Sequence, residues 1–289
     1  MRGIDAGEDR LKLGQEELEL FLKLHPALLF YANQQLNLVD GTPTLSGFMK
    51  LRLENKMKVR DALYDHTSLI DSFIAENPFN FSEGELKIIA GWRHLVKGTF
   101  YLLRYHKRYA VFLDDTTPPR AYGVLALTDT FEEILGSVLP IRLEAVLLSF
   151  KGQIVYDGFL VPYSIFFGRG IREELNEEYQ EAKNRRARER LKFYLRNESN
   201  RLRYEAEIEE LTRKDFNLMK IYHQEMGKIH ARELGKRLRE IGLSEAWFAI
   251  LEGTIIASGA TKEQVNKVLK DILPIGKREL PYIFHLGKK

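Results

Sequence analysis

Three features of the 289-residue chain predict an α+β fold. Apolar residues recur at helical spacing through residues 14–96. Short aromatic and β-branched runs fill 99–167, joined by loops too brief for crossover helices, which favours antiparallel pairing. A stretch free of Gly and Pro, 171–226, then carries dense charge at helical period before strand patterns return near the C-terminus. The expected layout is N-terminal helices with a mostly antiparallel sheet over 1–170, a long charged helical segment over 171–245, and a small ββαβ domain over 246–289.

Leu18, Phe21, Leu22, His25, Leu28, Leu29 and Ala32 mark a helix over 14–37, with Pro26 as a point of kinking. Residues 39–47 read as a loop by their Gly and Pro. A second helix is expected over 56–76, with a break near Asp65, and a third opens on the Ser82-x-x-Glu85 capping pattern and runs to about Val96. Strands at 99–105 and 108–114 form a hairpin, 121–127 is a further strand, and Thr130 with Glu133 caps a short helix. A hairpin turning at Lys151-Gly152 and a last strand at 163–167 complete the sheet.

Over 171–245 there are 18 basic and 16 acidic residues. This is one long helix or two to three helices, breaking near Asn197–Asn200 and Thr212–Asp215, with Gly242 as its C-terminal stop. The stripe Leu218, Tyr222, Met226, Ile229 has to be covered by another helix or by a second copy. In the tail, Phe248, Ile250, Ile255 and Ala257 are the expected buried positions of two strands meeting at Glu252-Gly253; Thr261 and Gln264 cap the helix that follows.

The tail residues Trp247, Ala249, Ile250, Glu252, Gly253, Ile256, Ala257, Ser258 and Gly259 carry a W-x-A-I-x-(D/E)-G…A-S-G pattern. On that pattern the tail resembles a short prokaryotic ββαβ domain family of unknown function. IAENPFNFSEGEL together with FKGQIVYDG is similar to an uncharacterised prokaryotic family. Neither resemblance brings an activity.

Composition narrows the chemistry. With no cysteine, disulfides, thiolate metal sites and cysteine nucleophiles drop out, and a cytoplasmic location is expected. The start, MRGIDAGEDR, is polar and no run is apolar enough for a membrane span, so neither a leader nor a membrane partner is expected. No cofactor or metal site is expected either. Asp114 and Asp115, paired at a strand end, are the candidate catalytic carboxylates of a metal-dependent hydrolase; the structural alternative is a solvated strand-to-loop junction. Gly168, Arg169 and Gly170 precede a helix and form a candidate anion site, against which Glu173 and Glu174 would act. Glu54-x-Lys56 and Glu85-x-Lys87 have a nuclease-like look but fall on helices.

The densest local signal is basic. Lys183, Arg185, Arg186, Arg188, Arg190, Lys192, Arg196, Arg201 and Arg203 are opposed within 183–203 only by Glu189 and Glu198, leaving +7, with Phe193 and Tyr194 interleaved. Arg185, Arg186, Arg188, Arg190, Lys192, Arg196, Arg201 and Arg203 are therefore candidate nucleic-acid contacts, the alternative being a solvated face paired with flanking glutamates. The first functional expectation is a non-enzymatic binding or adaptor protein, with a protein partner or self-association through 204–241; the second is nucleic-acid binding through 183–203.

Overall fold

The computed structural model describes residues 11–243 and 245–287; the polar N-terminal stretch lies outside them. The fold is α+β, and the chain divides into two compact units at Ala182/Lys183.

The first unit is built around α1 (Gln15–Leu36), which ends at Asn37 in the left-handed region with its N–H on the Asn33 carbonyl. Leu24 through Asn33 are all buried. A helix enclosed on every side has no use for a polar face, and this explains the long uncharged run in its sequence. Pro26 lies inside α1 without ending it. Around it pack α2 (Leu45–Met49), α3 (Leu53–Asp65), α4 (Ser68–Glu76) and α5 (Glu83–Gly91). The helix expected over 56–76 is thus two, parted at His66-Thr67, and the 39–47 loop already contains the first turn of α2. The Ser82–Glu85 capping box forms as expected, but the third helix stops at Gly91 and passes through a tight turn, Trp92–His94, into the first strand.

That strand, β1 (Val96–Tyr105), is long enough to serve two neighbours. Its first half pairs with β4 (Ile141–Phe150) and its second with β2 (Ala110–Asp114). β3 (Ala121–Leu125) lies beside β2, and α6 (Phe131–Leu135) leads from it to β4. β5 (Gln153–Pro162) returns beside β4 through the Lys151-Gly152 turn, where φ is 48° and 80°, the positive values a two-residue hairpin requires. The sheet then closes: β5 also pairs parallel to β3 through Val124↔Ile154 and Leu125↔Val155. The order β1-β2-β3-β5-β4, closed on itself, is the Greek-key connectivity of an OB-type barrel. Phe100, Leu102, Phe112, Val124, Leu143 and Val155 are among the residues filling it, and Phe131 of α6 packs on Phe112 and Tyr156. The strand expected at 163–167 does not form, because the chain runs past the end of β4: Tyr163 bonds the Arg142 carbonyl and the path to residue 168 is irregular.

Helices and barrel share one core. Trp92, fully buried, donates its indole N–H to the Ser149 carbonyl at 3.0 Å and packs edge-on against Phe21, which also meets Phe150 of β4. The outer side of β1–β3 is covered too. Leu175 and Ala182 of α7 (Arg169–Leu195) pack with Leu113, Tyr101, Leu103 and Ala121. This is why β2 is buried at every position rather than alternately.

The second unit holds the end of α7, then α8 (Glu198–Arg203), α9 (Glu205–Lys214) and α10 (Phe216–Glu240). Two breaks fall where the sequence placed them, and a third, at Tyr204, makes four helices where at most three were expected. Asn197 caps α8, and Asp215 caps α10 by accepting from the Asn217 and Leu218 amides. α10 ends in a Schellman motif, with Gly242 (φ 86°) bonding the Arg239 carbonyl and Leu243 that of Leu238. Leu191, Tyr194, Leu195, Ile208 and Leu218 form a core against which Tyr222 and Met226 pack, so helices of this chain cover the expected stripe as far as Met226; Ile229, its fourth residue, is half-buried outside that core. Ala187, half-buried, packs against that core.

The tail is ββαβ: β6 (Ala246–Leu251), β7 (Thr254–Gly259), α11 (Lys262–Ile272) and β8 (Tyr282–Leu286), in the sheet order β7-β6-β8. Both faces are covered. Val265 and Leu269 of α11 pack on Ala249 and Ala257, while α10 packs against β6 and β8. Phe248, Ala249 and Ile250 are therefore buried consecutively, where alternation predicts every second residue, and Ile255, expected inside, is only half-buried.

Candidate functional site

Asp114 closes β2 with its side chain turned back into its own loop. Its Oδ1 accepts from the Arg120 amide at 2.7 Å and Thr116 Oγ1 at 2.8 Å, and its Oδ2 from the Tyr122 hydroxyl at 3.3 Å. A buried carboxylate so occupied clasps the 115–120 loop. Asp115 points elsewhere, half-exposed, 3.9 Å from Arg142. The two carboxylates are thus not brought to a common point, and no group of three or more metal-ligating side chains occurs among the described residues. We expect Asp114→Ala to lower unfolding stability by roughly 1–3 kcal/mol, the cost of orphaning buried donors; urea unfolding measures it, with Asp115→Ala expected to be near neutral.

Gly168 and Gly170 flank the start of α7, both exposed, and the Arg169 guanidinium bonds Glu173 at 2.8 Å. Glu85 serves its cap and pairs with Lys23 at 2.6 Å, which holds its carboxyl down at about 2.

The basic run occupies the end of α7 and α8. Leu191, Tyr194 and Leu195 turn one side of α7 into the core, which leaves the opposite side to solvent. Arg186, Phe193 and Arg196 fall on that outer side at i, i+7 and i+10 spacing, with Lys192 beside them and Glu189 between. Arg186, Arg188, Lys192 and Arg196 are exposed and have no ion-pair partner among the described residues. Lys183 and Arg185 are engaged within the chain. Phe193 is 49% exposed, a large apolar surface in a cationic setting. Its neighbours form a stack that sequence spacing did not foretell. Tyr194 and Tyr204 lie ring on ring at 4.4 Å, Arg190 sits over Tyr194 at 5.7 Å and bonds its hydroxyl at 3.0 Å, and Arg203 sits over Tyr204 at 5.4 Å. Arg201 reaches back to the Leu195 carbonyl at 3.3 Å.

A second polar constellation, absent from the sequence reading except for His25 as a member of the α1 stripe, lies inside the first unit. His25 Nε2 and the Tyr64 hydroxyl are 2.8 Å apart, and Arg60 Nη1 is 3.4 Å from Asp157 Oδ2; all four residues are buried. Arg60 also lies over the Phe159 ring at 5.5 Å. Burial, reinforced by the Arg60 charge, lowers the His25 pKa to about 3. Burial outweighs Arg60 at Asp157 and raises its carboxyl to about 7. His25 stacks between Phe21 and Tyr64 with Trp92 at its edge, which leaves the imidazole closely walled by aromatic rings. The cluster joins α1, α3 and β5 from positions far apart in sequence, which no short motif could announce.

No family model, curated protein or solved structure matches this chain.

Proposed function

We propose that this chain is a non-enzymatic nucleic-acid-binding protein that holds single strands on the exposed side of 186–203. The observation that supports this reading is the half-exposed Phe193 among cationic groups that outnumber the single carboxylate on that side, Glu189, and form no ion pair among the described residues. Arginine and lysine there would take phosphates, and an aromatic face accepts any base by stacking. The Arg190–Tyr194–Tyr204–Arg203 stack would hold this surface in shape. The barrel is not the proposed contact. OB-type barrels commonly take oligonucleotides across the face of strands 2 and 3, and that is a likeness of fold alone; here Leu175 and Ala182 occupy it.

Assembly through 204–241 has less support than the charge pattern gave it. The apolar residues Leu218, Tyr222 and Met226 pack inside the chain, which takes most of that stripe out of use for a partner. Fluorescence anisotropy with labelled single- and double-stranded DNA and RNA at low salt tests the proposal. Phe193→Ala is expected to weaken single-strand binding by about 1–3 kcal/mol, the worth of one stacked base, and to weaken duplex binding much less. Equal losses on both would mean that the ring does not stack, and absence of binding by the wild-type chain would remove the reading.

A further inference from the structure

A cleft of about 360 Å³ opens in the first unit. Its apolar wall is Leu103 at the end of β1, Leu139 and Pro140 before β4, and Leu175 of α7. Its polar wall is Arg104, Arg169, Arg172, Glu173 and Asn176. Arg169 and Glu173 neutralise each other. The other two guanidiniums are held by neutral oxygens: Arg172 Nε donates to the Phe167 carbonyl at 2.9 Å, and Arg104 donates to the Asn176 side-chain oxygen while lying over the Tyr179 ring at 5.3 Å. These contacts fix the orientation of both side chains and leave each with further N–H donors and an uncompensated charge. Positioned cationic donors beside an apolar wall, in a cleft of this size, fit a small molecule with an anionic head and an apolar body.

We propose that this cleft binds a small amphiphilic anion, its carboxylate or phosphate head on Arg104 and Arg172 and its chain along Leu103, Leu139, Pro140 and Leu175. The site is separate from the nucleic-acid surface, and the two ideas stand or fall independently. The test is isothermal titration of the full chain with octanoate, octyl phosphate and neutral octanol. One of the two anions is expected to bind with a Kd of about 1 mM or tighter, as such fragments do in formed pockets, and octanol at least ten-fold more weakly. Whichever anion binds more tightly names the head group. Arg172 is exposed, and Arg172→Gln is expected to lower affinity ten-fold or more without changing the circular dichroism spectrum. Octanol binding as tightly as the anions, an unaltered Kd in Arg172→Gln, or no heat from either anion at several times that concentration would overturn the assignment.

Discussion

Gly227→Ala is expected to destabilise the second unit, by up to about 2 kcal/mol net, whereas Gly235→Ala, two turns further along the same helix, is expected to be neutral or stabilising. A Cβ at position 227 would overlap the Tyr282 Cβ and stand 2.9 Å from its Cγ, at the place where α10 rests on β8. Tyr282 Cβ is anchored to a paired strand, so relief requires helix and sheet to part. Overpacking of this kind costs about 1–3 kcal/mol and occasionally more, against a gain of about 1 kcal/mol from alanine's helix propensity. At Gly235 the nearest atom, Leu286 Cδ1, would be at 3.5 Å, an ordinary contact, so the propensity gain stands alone. Urea unfolding of the two variants beside the wild type reads the difference. Equal stabilities would mean that α10 and β8 do not pack as closely as described.

The second large effect lies in the buried cluster. Burial keeps the Asp157 carboxyl largely neutral below about pH 7, so its neutral isostere in Asp157→Asn is expected to cost about 1–3 kcal/mol, the worth of the altered hydrogen bond to the buried Arg60. Its pH signature is more telling than its size. Asp157 titrates higher in the folded chain than unfolded, so its contribution to stability is full below about pH 4 and is lost as pH rises towards 7. His25 titrates lower when folded, so its contribution is full above about 6.5 and is lost as pH falls towards 3. Between pH 4 and 6.5 the two slopes oppose and largely cancel in the wild type. Asp157→Asn removes one of them, and its stability should rise with pH by up to about 1.4 kcal/mol per unit, the linkage limit for one proton. His25→Gln should show the reverse slope. Denaturant unfolding followed by fluorescence across pH 4 to 7 checks both, since Trp92 lies 5.6 Å from the His25 ring. Parallel pH profiles in all three proteins would contradict this account.

Local chemistry was legible in the sequence, and closure was not. The capping boxes at Ser82/Glu85 and Thr130/Glu133, the turns at Lys151-Gly152 and Glu252-Gly253, and the Gly242 stop all depend on residues within a few positions of each other. The barrel depends instead on a two-residue parallel contact between β3 and β5, about thirty positions apart, which leaves no periodicity to read. The apolar segment at 163–167 has strand composition, but beyond Tyr163 no strand edge is offered to it. In the tail the hairpin was readable, while the consecutive burial at 248–250 required knowing that α10 covers the second face. The candidate surface divides the same way. Helical geometry put several arginines in solvent from spacing alone, but the stacking of Tyr194 on Tyr204, which links the Arg190 and Arg203 contacts, arises from the turn between α7 and α8.

The central claim is that the exposed side of 186–203 binds a nucleic-acid strand, and the measurement that tests it most directly is the salt dependence of single-strand affinity. Plotted as log affinity against log salt, the wild type is expected to give a line falling by about 0.7 for each phosphate neutralised. The triple variant Arg186→Ala, Lys192→Ala and Arg196→Ala is expected to flatten that line by about 2, because three exposed cations outside the core are removed while Leu191 and Tyr194 remain in place. A wild type that binds no strand at low ionic strength, or a triple variant with an unchanged slope, would contradict it.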